Sequence, residues 1–158
     1  MPAYRSARVL ILARRTADSP ELIGAVAARA DRGPCNFTLL VPASPRVLTN
    51  VTYHRPHRDL DAERRILAAV PLLSRAAGSE VVAVVGAQDP FGAVRDALKV
   101  MGFDEVIVSM LPARVSRWRS LDVAGRIRAL GVPVTEVTGA EPISTIGAES
   151  PGTRLPAA

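Results

Sequence analysis

The stretch from Val9 to Pro34, VLILARRTADSPELIGAVAARADRGP, contains the repeating unit of the fold. Its first five residues are all apolar, as is typical of a strand that is buried on both faces. Asp18 or Ser19 then offers an N-cap for a helix, and Pro20 fits the first helical turn because the N–H that it lacks has no partner there. Gly33 is a typical helix stop. The stretch therefore predicts a strand followed directly by a helix.

The same unit recurs along the chain. Strands are predicted at Val9–Ala13, Asn36–Val41, Val81–Val85, Val106–Met110 and Pro133–Val137. A helical pattern separates each strand from the next, and this alternation predicts a three-layer α/β sandwich with a parallel sheet of five strands. Open parallel sheets bind ligands beyond the carboxyl ends of their strands, so function is expected there.

The helical segments carry further local expectations. The second helix is predicted over Asp61–Ala77, where Pro71 should kink it by removing a hydrogen bond, and Leu67 is assigned to its inward face. The last helix is expected to begin at an Asp122 cap and to point Leu130 inward.

Composition limits the class of protein. The 158 residues are 48% hydrophobic but only 4% aromatic, which suits one domain with an aliphatic core. Basic residues exceed acidic ones by five, and Lys99 is the only lysine, as expected for the GC-rich genomes of actinobacteria. The alternative is a surface that binds phosphate or nucleic acid, but the arginines are scattered and nucleic-acid binding is not expected. Cys35, the only cysteine, excludes an intramolecular disulfide and is expected to be a buried thiol.

The ends of the chain predict a soluble cytoplasmic protein. Residues Met1–Arg8 lack the apolar stretch of a signal peptide, and no run of about 18 apolar residues is present to span a bilayer. The last twenty residues, 139–158, are rich in Gly, Pro, Ser, Thr and Ala and are expected to form a disordered tail behind a single domain over 1–138.

The longest irregular stretch, from Ala43 to Leu60, contains both histidines. His54 and His57 have arginine neighbours, which oppose a cation, and too few further ligands, so no metal site is predicted. A loop of this length is expected to be either a flap over the ligand site or a plain surface loop.

Arginines follow the first and fourth strands. Two interpretations stay open: they converge on the carboxyl edge of the sheet to hold an anion, or they are solvated loop residues whose stems pack on Trp118. The residues in question are Arg14, Arg15, Arg114, Arg117 and Arg119. Trp118 itself is expected to be a packing residue rather than a stacking platform. Without a nucleophile elbow or a glycine-rich phosphate loop, no catalytic residue is predicted and the chain is not expected to be an enzyme.

The order of elements from Arg8 to Thr138 resembles the universal stress protein family. Thr16 and Ser19 fall where the first turn of that family has two hydroxyls, and the turn Gly86–Pro90 is similar to its Gly-x-Pro turn. The resemblance implies the sheet order 3-2-1-4-5 of the adenine nucleotide alpha hydrolase-like class and ATP bound between the first and fourth strands. It also implies a ligand contact at Val41 and homodimers that pair through the last strand.

The chain departs from the family at the phosphate-binding loop. The family motif Gly-x2-Gly-x9-Gly-Ser/Thr aligns with Ser109, Pro112, Asp122 and Val123, so the backbone donors of the glycine loop are missing. A carboxylate about 5 Å from a phosphate costs about 3 kcal/mol at an effective dielectric constant of 20. Arg14 replaces the first-strand aspartate of the family, and an ion pair between Arg14 and Asp122 is conceivable.

The sequence therefore predicts a regulatory or ligand-sensing domain that resembles universal stress proteins and binds ATP weakly or not at all. The alternative is a nucleotide or phosphate binder in which arginines replace the glycine loop. Either way a small anionic ligand is expected at Arg14, Thr16, Val41, Ser109, Arg114, Arg117 and Asp122.

Overall fold

The computed structural model describes residues 5–44 and 59–140 of the chain. Within these ranges the strands are β1 (Ala7–Leu12), β2 (Cys35–Pro42), β3 (Val82–Gly86), β4 (Glu105–Met110) and β5 (Val134–Thr138). The helices are α1 (Pro20–Asp31), α2 (Leu60–Ala77), α3 (Pro90–Val100), α4 (Arg117–Ser120) and α5 (Val123–Arg128).

The strands form one parallel sheet in the order β3-β2-β1-β4-β5, which confirms the predicted α/β fold. Ile11 in β1 lies opposite Leu39 in β2 on one side and Ile107 in β4 on the other. The two central strands, β1 and β4, are therefore neighbours although almost a hundred residues separate them, and the chain changes its direction of travel across the sheet between them.

Each face of the sheet has its own hydrophobic core, because side chains alternate along β1. Val9 and Ile11 pack with Leu22 and Val26 of α1 and with the buried side of α2. Leu10 and its alternate neighbours pack instead with α3 and α5 on the opposite face. Two cores on either side of one sheet make the predicted three layers.

Three local predictions are wrong. Leu67 is 76% exposed because Ala69 and Leu73 define the buried side of α2, and two residues along a helix turn a side chain about 200° away. Leu130 is 44% exposed because α5 ends at Arg128, so Leu130 lies in the turn that follows. Cys35 is half-buried rather than buried, since it is the first residue of β2.

Within residues 5–44 and 59–140, none of the helices combines the length and the apolar character that crossing a membrane requires.

Candidate functional site

A pocket of about 190 Å³ opens between the carboxyl ends of β1 and β4. This is where the strand order changes direction, the place where open α/β sheets bind ligands. The lining residues come from the turn after β1 and from the end of β4 with the connection to α4. They are Arg14, Arg15, Thr16, Ser109, Met110, Leu111, Val115, Ser116, Arg117 and Trp118.

A buried hydrogen bond joins the two sides of the pocket. The hydroxyls of Thr16 and Ser109 share it at 2.6 Å, and each residue is only 1% exposed. The bond ties the turn after β1 to the end of β4, and it occupies part of the polar capacity of both hydroxyls.

The turn after β1 is fixed by the start of α1. Ser19 caps this helix, because its hydroxyl accepts from the Leu22 N–H at 3.2 Å while its own N–H donates to the Thr16 carbonyl at 3.1 Å. Gly139 packs against the same turn: its N–H donates to the Met110 carbonyl at 2.8 Å, and a Cβ built on it would lie 2.5 Å from the Ser19 hydroxyl. The packed structure therefore includes Gly139, the first residue of the tail expected over 139–158, while residues 141–158 of that tail lie outside the described residues.

Arg14 is the unusual side chain of the pocket. It is partly buried, its Nε has neither solvent contact nor a hydrogen-bond partner, and its side chain makes no hydrogen bond to the described part of the chain. Burial, followed by the positive charge of Arg65, lowers its pKa, while Asp61 and Asp59 act in the opposite direction. Of the five donors of this guanidinium, the Nε–H is therefore buried without a partner.

Asp59 and Asp61, the acidic neighbours of Arg14, belong to a second polar group, which we call the Ser44 clamp. Asp59 accepts from the backbone N–H of Ser44 at 2.6 Å, from the Ser44 hydroxyl at 3.0 Å and from the Ala62 N–H at 3.0 Å. Asp61 accepts from Arg65 Nε at 3.0 Å, and its Oδ2 lies 3.1 Å from the Ser44 hydroxyl, whose single hydrogen the two carboxylates share. The clamp joins the end of β2 to the start of α2 across the segment 45–58.

Hydrogen bonding determines the charge state of the clamp. Burial alone would raise the pKa of Asp59, but the bonds from Ala62 and Ser44, together with the charge of Arg14, bring that pKa below its ordinary value. Burial likewise opposes ionisation of Asp61, but the hydrogen bond and charge of Arg65, the bond with Ser44 and the charge of Arg14 together outweigh it and lower its pKa. Both carboxyls are therefore ionised at neutral pH.

The connection between β4 and α5 contains the helix α4, which the sequence did not predict. Ser116 caps it by accepting from the Arg119 N–H at 3.3 Å. Trp118 is half-buried and packs against the core between the sheet and helices α3 and α5. Trp118 also lines the pocket, where Arg117 lies beside it on an exposed turn of chain.

The structure brings four of the seven expected site residues together at the pocket: Arg14, Thr16, Ser109 and Arg117. The other three lie elsewhere. Arg114 is exposed and outside the lining, and Val41 is buried in the core that faces α1 and α2. Asp122 is exposed and caps α5 through the Gly125 N–H at 3.2 Å.

The ion pair between Arg14 and Asp122 does not form. The acidic side chains that act on Arg14 are those of Asp59 and Asp61, while Asp122 serves its own helix with a left-handed backbone. The alignment with the family motif predicted that Asp122 lies at the ligand, but Asp122 does not line the pocket. The expected repulsion between Asp122 and phosphate is therefore not an argument against ATP binding.

Sequence reasoning missed the apolar wall of the pocket, which consists of Met110, Leu111 and Val115. Val115 is exposed, and isolated apolar residues in a connection give no periodic signal. Their position at and just after the end of β4 was the only feature of the sequence that could have indicated that they line the pocket.

Metal binding finds no support within the described ranges, where no group of three or more metal-ligating side chains occurs. His54 and His57 lie outside these ranges. In comparisons with known proteins, no family model matches the chain, and no curated protein matches it either.

Proposed function

We propose that this chain is a ligand-sensing domain, similar to the universal stress proteins, that binds a small anion in the pocket between β1 and β4. Arginines take the place of the glycine loop, and ATP binds weakly or not at all. The observation that carries the proposal is the lining itself, in which Arg14, Arg15 and Arg117 surround a pocket at the switch point of the sheet.

Arginine donors suit an anion in this position. A guanidinium pairs with carboxylate or phosphate through two parallel hydrogen bonds, and bonds between ionised groups are stronger than neutral ones. The side chain of Arg14 makes no hydrogen bond to the residues described, so an incoming anion exchanges bonds to water for bonds between ionised groups and breaks none within the protein.

The size and chemistry of the pocket argue against a whole nucleoside triphosphate. Its volume of about 190 Å³ is below the roughly 300–1,000 Å³ of typical pockets for drug-sized ligands. The lining contains no glycine, and Pro112 beside it has no N–H, so the pocket lacks the backbone cradle on which polyphosphates depend. Asp59 and Asp61 also offset part of the charge of Arg14.

Isothermal titration calorimetry with inorganic phosphate, AMP, benzoate and ATP with magnesium tests the proposal. We expect measurable binding of at least one small anion and weaker binding of ATP. Low-micromolar affinity for ATP would refute the claim that ATP binds weakly.

Two variants locate the site. Arg14→Ala or Arg117→Ala should abolish the thermal stabilisation that the bound anion causes, because each removes a lining cation. Arg114→Ala is the matched control, since it removes an exposed arginine of the same connection that does not line the pocket. Equal loss of stabilisation in all three variants would point to a diffuse charge effect and against a site.

The resemblance to universal stress proteins supports two further parts of the proposal, a cytoplasmic location and a homodimer. β5 is an edge strand with one unpaired side, which a second copy would complete. Sedimentation at high protein concentration should then show a dimer, and a monomer throughout would refute the pairing.

A further inference from the structure

We infer that the pocket selects a compact aromatic acid, a planar ring that carries one carboxylate. The inference deepens the function proposed above and rests on it: the same pocket is the site, and what is added is the chemical class of its ligand. Three observations lead to it, namely the division of the lining into an apolar and a cationic part, the small volume, and the acidic surroundings of Arg14.

The lining is amphipathic. Met110, Leu111, Val115 and Trp118 provide apolar surface, whereas the cations come from Arg14 and Arg15 after β1 and from Arg117 at the start of α4. A bare inorganic anion would use the cations and leave the apolar wall in contact with water. A ligand with an apolar body and one charged end uses both, and a planar body suits packing against the indole of Trp118 or a guanidinium plane.

The volume favours a ligand of about one ring. The pocket of about 190 Å³ is smaller than the roughly 300–1,000 Å³ of typical pockets for drug-sized ligands. One ring with its carboxylate therefore matches the pocket better than a whole nucleotide does.

The charge around Arg14 favours a single carboxylate over a phosphate. Asp59 and Asp61 both act on this guanidinium, so a dianionic phosphate bound to it meets more repulsion than a singly charged carboxylate does. Phosphate sites commonly use backbone N–H groups in glycine-rich loops, and the lining contains no glycine. A carboxylate has the flat, two-oxygen geometry that one guanidinium can satisfy.

The single tryptophan of the chain makes the pocket directly observable. Trp118 is the only tryptophan, so its fluorescence reports on its surroundings without interference from a second indole. Titration with benzoate should give a saturable change in that fluorescence, confirmed by calorimetry. Benzamide keeps the ring without the charge, and acetate keeps the charge without the ring; both should bind at least tenfold more weakly.

Variants test whether the carboxylate of the ligand binds the arginines and whether its ring packs against the apolar residues of the lining. Arg14→Gln should weaken benzoate binding about tenfold or more, because it removes a bond between ionised groups. Trp118→Leu, followed by calorimetry, should reduce the preference for benzoate over acetate, and Arg114→Ala should leave both affinities unchanged. Circular dichroism establishes that each variant is folded.

The possible outcomes distinguish the proposal of anion binding from the assignment of the anion as an aromatic carboxylate. If phosphate or phenyl phosphate binds more tightly than benzoate, the carboxylate assignment is overturned while anion binding stands. If benzamide binds as well as benzoate, the charged end has no role and the inference fails. If none of these compounds binds the folded protein at millimolar concentration, the proposed function fails with it.

Discussion

Two polar groups lie on either side of the end of β1, and they differ in whether their charged side chains have hydrogen-bond partners. On the side of β2, the Ser44 clamp pairs its members: two carboxylates accept from the N–H groups of Ser44 and Ala62, from Arg65, and from the Ser44 hydroxyl, whose one hydrogen they share. On the side of β4, Arg14 has no hydrogen-bonded partner among the described residues. Arg14 is close enough to the clamp to feel its charges, and it lines the pocket as well.

This difference separates groups that stabilise the fold from groups that are available for binding. A satisfied hydrogen bond contributes modestly to stability, and a buried donor without a partner lowers stability until something occupies it. Natural proteins often lose stability in this way at functional sites. We therefore expect substitutions in the clamp to reduce stability and substitutions at Arg14 to reduce binding.

The largest effect is expected for Asp59→Ala in the clamp. It removes the N-cap of α2 and leaves the N–H groups of Ser44 and Ala62 without their acceptor, which together should cost about 2 kcal/mol. Anion affinity in the pocket should rise at the same time, because a negative charge near Arg14 is lost. Urea unfolding and calorimetry with benzoate measure the two changes.

Two further variants control for charge. Asp59→Asn keeps an oxygen acceptor, so it should lose less stability than Asp59→Ala while showing the same gain in affinity. Asp31→Ala removes an exposed carboxylate at the end of α1 and should change stability by less than about 0.5 kcal/mol. Unchanged stability in Asp59→Ala would remove the distinction between clamp and pocket.

The next effect concerns the buried bond between Thr16 and Ser109, the satisfied part of the pocket. Ser109→Ala should cost about 1–2 kcal/mol, because it leaves the Thr16 hydroxyl buried without its partner. Adding Thr16→Val should cost little more, since the double variant has no unsatisfied hydroxyl left. Simple additivity in a double-mutant cycle would contradict this view of the bond.

The comparison also shows how far the sequence leads. All five strands lie within two residues of their predicted bounds, because each is rich in aliphatic residues and ends at, or within two residues of, a proline, glycine or charged residue. Arg14 was found because it follows the end of β1, whereas Thr16 and Ser109 were found through the resemblance to the universal stress proteins. A residue's position relative to the end of a strand can be predicted from a single sequence.

The parts that were missed depend on tertiary contacts. A helix of four residues such as α4 is too short to show a periodic pattern, so the way in which Trp118 and Arg117 reach the pocket was not predictable. The clamp depends on Ser44 and Asp59, which are fifteen residues apart on either side of a long connection.

A smaller effect, of opposite sign, is expected for Arg14→Met. The pKa of Arg14 is lowered chiefly by burial, which means that the folded state disfavours its charge, so an apolar side chain of similar length should stabilise the empty protein. The gain should be small because Arg14 is only partly buried, and it would appear as a rise in Tm. Anion binding should be lost in the same variant.

Thermal unfolding with and without benzoate checks both halves of this prediction. Arg114→Met is the control, because it makes the same change at an exposed position outside the pocket and should leave both Tm and binding near the parent values. A marked loss of stability in Arg14→Met would mean that its attraction to Asp59 and Asp61 outweighs the cost of its burial, and Arg14 would then belong to the clamp.

The smallest effect is the pH dependence of the clamp. The pKa values of Asp59 and Asp61 are lower in the folded protein than the ordinary value of about 3.9 that applies to the unfolded chain. A depressed carboxyl pKa contributes stability that is present in full above the unfolded value and is lost as the pH falls through the folded value. The contribution should therefore be complete at neutral pH, begin to fall near pH 4 and be lost as the pH drops through the folded values.

Other carboxylates also titrate in this range, so the difference between the parent and Asp59→Asn is the quantity to follow. Unfolding free energies measured in urea from pH 6 to pH 3 should show the parent more stable by a constant amount down to about pH 4 and by a shrinking amount below it. Because both carboxyls are partly exposed, solvent screening keeps the change small. A difference that stays constant to pH 3 would show that Asp59 acts in the clamp through its shape and hydrogen bonds and not through its charge, and Arg14 would then be balanced mainly by Asp61.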